Sequence, residues 1–70
     1  MPKLYSSAHI VKVLEAHGFV FVSQKGSHIK FRKKGEPTLT TIVPANRKEI
    51  PTGTFRSILL QSSLTEADFK

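Results

Sequence analysis

Residues 26–34 read Gly-Ser-His-Ile-Lys-Phe-Arg-Lys-Lys, an alternation of apolar and basic side chains with the period of a half-buried strand. Successive strand side chains point to opposite faces, so His28, Lys30, Arg32 and Lys34 fall on one side and Ile29 and Phe31 on the other. The apolar pair asks for a core beneath it. With 70 residues in all, a chain buries only about 60% of its unfolded surface. The remaining elements must therefore be spent on covering that one face, in a single domain over residues 1–70. Gly26 supplies the tight turn into the strand and leaves the backbone beside His28 open to close approach by a ligand.

The flanking sequence supplies elements of the right kind. After a lead at residues 1–5, Ser6 or Ser7 caps a helix, with Tyr5 and Ile10 at the staple positions if the cap is Ser6. Ile10, Val11, Leu14 and His17 recur at helical spacing, Gly18 ends the helix, and Phe19 folds back onto Leu14. Residues 19–24 are mostly β-branched or aromatic and form a first strand, with Lys25-Gly26 as the turn into the second. A turn at Lys34-Gly35-Glu36-Pro37 leads to a third strand at residues 38–43, ended by Pro44. A polar connection at residues 45–51 precedes a second helix, capped from Thr52-Gly53-Thr54 and lined by Phe55, Ile58 and Leu59. Ser62 and Ser63 break it. Ser63-Leu64-Thr65-Glu66 has the capping-box pattern for a last short helix that presents Leu64, Ala67 and Phe69. The order is helix, three strands in an antiparallel meander, helix and helical tail. This is an α+β, α-β-β-β-α fold with both helices on one face of the sheet, the order of double-stranded-RNA-binding domains.

Charge narrows the partners. Eleven Lys and Arg against five Asp and Glu give a formal charge of +6, which favours a phosphate-bearing partner. There is no cysteine for disulfides or thiolate zinc sites, and no signal-like or membrane-spanning apolar run, so a cytoplasmic protein with no membrane association is expected. The acids, Glu15, Glu36, Glu49, Glu66 and Asp68, are scattered and no His-x-x-x-His pair occurs. No metal and no cofactor are expected.

Without a metal, phosphodiester cleavage is practical mainly on RNA, whose 2′-OH is a nucleophile already held beside the phosphorus. Histidine is the side chain that both takes and gives protons near neutral pH. His28 can thus deprotonate that hydroxyl or protonate the leaving 5′-oxygen, while Lys25, Lys30 or Arg32 stabilises the phosphorane. Lys33 and Lys34 add phosphate contacts, and the product end is a 2′,3′-cyclic phosphate. His9 and His17, on the first helix, are structural. Ser27 lacks an acid to complete a triad and is no nucleophile. Two plainer readings use the same residues: a non-catalytic RNA-binding module in which His28 is only a contact, and a module whose basic face binds an acidic protein.

Four motifs in order, Gly18-Phe19, Gly26-Ser27-His28, Val43-Pro44 and the run from Gly53 through Thr54, Phe55, Arg56, Ser57 and Ile58 to Leu59, resemble the HicA (YcfA-like) toxin family over nearly the whole chain. The resemblance implies a double-stranded-RNA-binding-domain-like fold, an mRNA interferase that stops translation, and neutralisation by a HicB-type antitoxin. It puts His28 at the catalytic histidine; the RNA-binding set read from the chain itself is Lys25, Gly26, Ser27, Lys30, Arg32, Lys33, Lys34 and Asn46. Family members commonly carry a second histidine shortly after the Val-Pro pair, where this chain has Asn46. An amide can hydrogen-bond a phosphate or a base but cannot shuttle a proton. The partner acid then falls to Lys25 or Lys30, or His28 serves both steps in turn.

Overall fold

Ser6 opens the first helix, α1 (Ser7–Ala16), by accepting the His9 backbone N–H at 3.1 Å. This satisfies one of the donors that a helix start leaves unpaired. Tyr5 and Ile10, on either side of that cap, are both buried in the core. The helix stops one residue short of the expected end, with His17 as its C-cap. Gly18 follows at φ +94°, the Gly18 N–H bonds Glu15 O and the Phe19 N–H bonds Leu14 O. These two bonds define a Schellman ending, and Phe19 and Leu14 are both buried beside it. Phe19 therefore belongs to the helix cap and not to the strand. The computed structural model describes residues 4–70; residues 1–3 of the expected lead lie outside them.

Three antiparallel strands follow, β1 (Val20–Lys25), β2 (His28–Lys33) and β3 (Leu39–Pro44), in the sheet order β1-β2-β3. The first turn is Gly26-Ser27, with Gly26 at φ +59°. That is the glycine-first position of a tight hairpin. Lys25, expected in the turn, is instead the last residue of β1, and Lys34, expected on the second strand, lies beyond it. The third strand begins one residue later than expected and includes Pro44. A proline is tolerated there because β3 is an edge strand.

The β1–β2 ladder pairs Phe21 with Phe31 and Ser23 with Lys30, leaving Val22 as a bulge. A bulge inserts one unpaired residue into one strand and so shifts the alternation of that strand's side chains by one. Phe21 thereby joins Phe31 on the covered face, ring edge to ring face at 6.3 Å, although Phe21 and Ser23 end on opposite faces despite being two apart. Ile29, Phe31, Thr41 and Val43 share that covered face, three of them buried and Ile29 packed against the core.

The second helix, α2 (Thr52–Ser62), covers the same face with Phe55 and Ile58. It begins at Thr52 itself, with Pro51 at the cap position and no side-chain capping bond, so the expected Thr and Gly caps are helical residues instead. Proline cannot donate an N–H and has its φ preset, which lets it stand at a helix start without a side-chain partner. Ser62 is the last helical residue, buried, its hydroxyl donating to Ile58 O at 2.6 Å, and Ser63 turns left-handed at φ +58°. From α2 the side-chain Oε1 of Gln61 accepts both the Thr41 hydroxyl (2.9 Å) and the Ile42 N–H (3.2 Å), closing the β3 edge at that point.

The tail is a 3-10 helix, Glu66–Phe69, and its capping box is Thr65 with Asp68, two residues later than the pair Ser63 and Glu66. Asp68 Oδ2 accepts the Thr65 N–H at 2.8 Å and its hydroxyl at 3.1 Å. Phe69 is fully buried, whereas Ala67, expected on the apolar face, is exposed. Phe69 lies edge to face with Phe55 at 5.1 Å. His9 stacks on Tyr5 and bonds Phe69 O through Nε2 at 2.6 Å. A carbonyl only accepts, so Nε2 carries the hydrogen. The structural role expected for His9 is thus to hold the tail to α1. All of this packing lies on one side of the sheet and leaves the other side open.

Candidate functional site

Cross-strand pairing sets the open face out in three rows. Lys25, His28 and Pro44 form the first, Ser23, Lys30 and Ile42 the second, and Val20, Arg32 and Thr40 the third. Directly opposed side chains in such rows have Cβ atoms roughly 5 Å apart. His28 therefore has Lys25 beside it across the hairpin and Lys30 two residues along its own strand. The first two rows line a hollow of about 660 Å³, bounded by Ser23, Lys25, Gly26, His28, Lys30 and Ile42. His28 and Lys25 are exposed and Lys30 is half-buried. Among the described residues no carboxylate lines this hollow, and the His28 ring takes no hydrogen bond. Its cations are free to meet an anion.

Of the residues singled out in the sequence, the fold brings together Lys25, Gly26, His28 and Lys30, and sets Arg32 in the next row. Ser27 occupies the turn, its carbonyl accepting the Ala45 N–H at 2.7 Å. Lys33 pairs with Leu39 and so belongs to the parity of the covered face, at the far end of β2, where the Gly18 corner approaches its side chain. Lys34 lies past the strand. Asn46 lines a different hollow from His28: with φ +57° it sits in the loop after β3, beside Gln24, Ile29, Arg47 and Lys48. Ser23 and Ile42 were not anticipated in the site. The bulge at Val22 is what turns Ser23 toward it, and no alternation of residue types announces a bulge.

Gly26 has no heavy atom within 4 Å of where a Cβ would stand. Its glycine identity answers to its positive φ and not to crowding, and the turn beside His28 is bare. Asp68 has its pKa lowered, first by the Thr65 backbone hydrogen bond, then by the Thr65 hydroxyl and the charge of His17, against a small opposing effect of burial. It belongs to the tail and not to the site.

Fold and site together define a small basic α+β protein of α-β-β-β-α order, with helices on one face of a three-stranded antiparallel sheet and a histidine among cations on the other. The chain belongs to the HicA family: residues 7–64 match the family described as the HicA toxin of bacterial toxin-antitoxin systems. The match runs from the first residue of α1 to just beyond α2, and covers every element that builds the open face. None of the curated proteins matches the chain. Membership makes it a toxin with an antitoxin as its partner. No helix among the described residues is long and apolar enough to cross a membrane.

Proposed function

We propose that residues 1–70 act as one HicA-like domain, the toxin of a type II system, and that it is a metal-independent endoribonuclease cutting mRNA in the cytoplasm. The observation that carries this reading is the row Lys25–His28 at the mouth of a basic hollow on the open sheet face. His28 takes the proton from the 2′-OH, the 2′-oxygen attacks phosphorus, and the P–O5′ bond breaks with a proton delivered to the departing 5′-oxygen. The products are a 2′,3′-cyclic phosphate and a 5′-hydroxyl. Lys30 and Lys25 stand where charge builds on the phosphorane oxygens. Either His28 or Lys25 returns the proton, since Asn46 can do neither task and faces another hollow. Among the described residues no three His, Asp or Glu side chains converge to hold an ion, so the reading uses this chain's own groups. A HicB-type antitoxin would inhibit by covering His28 and presenting acidic groups to Lys30 and Arg32.

The second reading, an RNA-binding module without catalysis, uses the same exposed Lys25 and half-buried Lys30 on the open face, with His28 as a contact only. One experiment separates them. Purified protein and His28→Ala are incubated with end-labelled RNA in EDTA, with ribosome-bound mRNA as a second substrate. Cleavage by the parent alone, leaving cyclic phosphates, is the expected result. No cleavage of either substrate, with equal RNA binding by both proteins, would replace catalysis by binding.

A further inference from the structure

A second hollow, of about 430 Å³, lies on the other side of the β1–β2 hairpin. Gln24 and Ile29, both of the covered face, form one wall, and Asn46, Arg47 and Lys48 of the loop after β3 form another. Gln24 and Lys25 are consecutive in β1, as are His28 and Ile29 in β2. The two hollows are thus separated by one sheet layer, roughly 10 Å with its side chains. Between them is the bare Gly26-Ser27 turn, against which the loop is seated by the bond from the Ala45 N–H to Ser27 O. The loop is held from behind as well. Ser7, buried in α1, donates its N–H to Arg47 O and accepts the Arg47 N–H, each at 2.9 Å, while its hydroxyl donates to Pro44 O at 2.5 Å. Backbone contacts alone pin Arg47, so its guanidinium and the Lys48 ammonium are left exposed. Among the described residues no carboxylate lines either hollow; Glu49 follows in the same loop outside the lining.

We propose that the loop hollow is a second RNA subsite, reached from the His28 hollow by a single strand that bends around the Gly26-Ser27 turn; this rests on the ribonuclease reading of the first hollow. Arg47 and Lys48 take phosphates there. Asn46, whose amide both donates and accepts, meets a base edge. A double helix is stiff over many base pairs and cannot fold over two faces of a sheet one layer apart, whereas a single strand can. RNA is therefore unpaired on at least one side of the cut, even though the fold is shared with duplex binders.

The test uses His28→Ala protein, to keep RNA intact, and fluorescent RNA of roughly 12 nucleotides, a length within the reach of one small domain, as single strand and as duplex. Introducing Arg47→Glu and Lys48→Glu together should weaken single-strand binding by roughly 10-fold or more and flatten its salt dependence, by a slope of about 1.4 for two phosphates. Duplex binding should change far less. Far-UV circular dichroism and Tm verify that the exposed substitutions leave the fold intact. Photo-cross-linking of the His28→Ala protein with 4-thiouridine strands gives a second readout and should mark residues 45–48. Unchanged single-strand affinity in the loop variant, or cross-links confined to the open face, would overturn the second subsite and leave the ribonuclease reading standing. Equal weakening of single strand and duplex would overturn the bend. Single-strand binding that survives Lys25→Glu with Lys30→Glu would remove RNA from the first hollow, and this proposal with it.

Discussion

Lys25 stands opposite His28 across the first hairpin, the last pair of the β1–β2 ladder before the Gly26-Ser27 turn. Under the proposed ribonuclease reading, two donors of different chemistry so placed would divide the work of cleavage, and substitution at Lys25 tells how. Loss of a proton donor or of a charge facing the phosphorane costs about 10²–10³-fold in rate. Lys25→Ala is expected to lower the single-turnover cleavage rate by that order with Tm nearly unchanged, because the side chain is exposed. Arginine keeps the charge but does not deprotonate. Lys25→Arg therefore restores most of the rate if Lys25 only stabilises charge, and little of it if Lys25 protonates the 5′-oxygen. A Lys25→Ala rate equal to that of the parent would assign both proton transfers to His28.

Much of this arrangement was legible in the chain because it follows from local rules. The alternation at residues 28–33 set out the two faces, Ser6 and Gly18 marked both ends of α1, and the order of elements led to helices on one face only. What escaped were features decided by pairing across the sheet or by competition between neighbours. Nothing in residues 19–24 distinguishes a bulge at Val22 from regular alternation, yet that bulge puts Ser23 beside Lys30. At the tail two capping boxes overlap in sequence, and burial of Phe69 in the aromatic cluster of Tyr5 and Phe55 goes with the later one. Asn46 looked like part of the histidine site because it follows the Val-Pro pair closely. The chain turns left-handed there and carries it to the other hollow.

Ser7 joins three backbone groups from two other segments while itself buried, so its hydroxyl is expected to matter more than a surface serine. Ser7→Ala strands the Pro44 carbonyl and the Arg47 N–H, which costs about 1–3 kcal/mol when such groups are buried. For a domain of this size each kcal/mol lowers Tm by about 4–8 °C. Thermal unfolding should show that loss, and amide exchange should show Arg47 exchanging faster. A Tm within a degree of the parent would mean that water replaces the serine without cost.

Asp68 gives the tail a dependence on acid. Its carboxylate is held below the ordinary value of 3.8 by the Thr65 hydrogen bonds. A depressed folded pKa contributes stability that is present above the unfolded value and is lost as pH falls through the folded one. The 3-10 helix should accordingly loosen only below about pH 4. Because the carboxylate is exposed, the effect is local and should appear in the Thr65 amide resonance before any global transition. Asp68→Asn should abolish that titration. A Thr65 resonance that shifts equally with pH in both proteins would show that another group is responsible.

The bulge makes a sharper prediction about register. Val22 has no partner on β2, and the pairs on either side of it, Phe21 with Phe31 and Ser23 with Lys30, are those a regular ladder would make without it. Deleting Val22 therefore preserves every pair and every face, and the shortened chain should fold with Tm within several degrees of the parent. It should also self-associate more readily, since a bulge blunts an edge strand and β1 exposes Val20 and Phe21 by 61% and 57%. Deleting Lys30 removes no core side chain, yet β2 has no bulge to absorb the change, and a one-residue slip throws Phe31 onto the open face. Losing a buried phenylalanine costs about 3–5 kcal/mol, a large part of the 5–15 kcal/mol that holds a domain together. The Lys30 deletion should show no cooperative thermal transition by circular dichroism. If the two deletions were equally damaging, Val22 itself would be supporting the fold, and the pairs on either side of it would not be sufficient to hold the β1–β2 register.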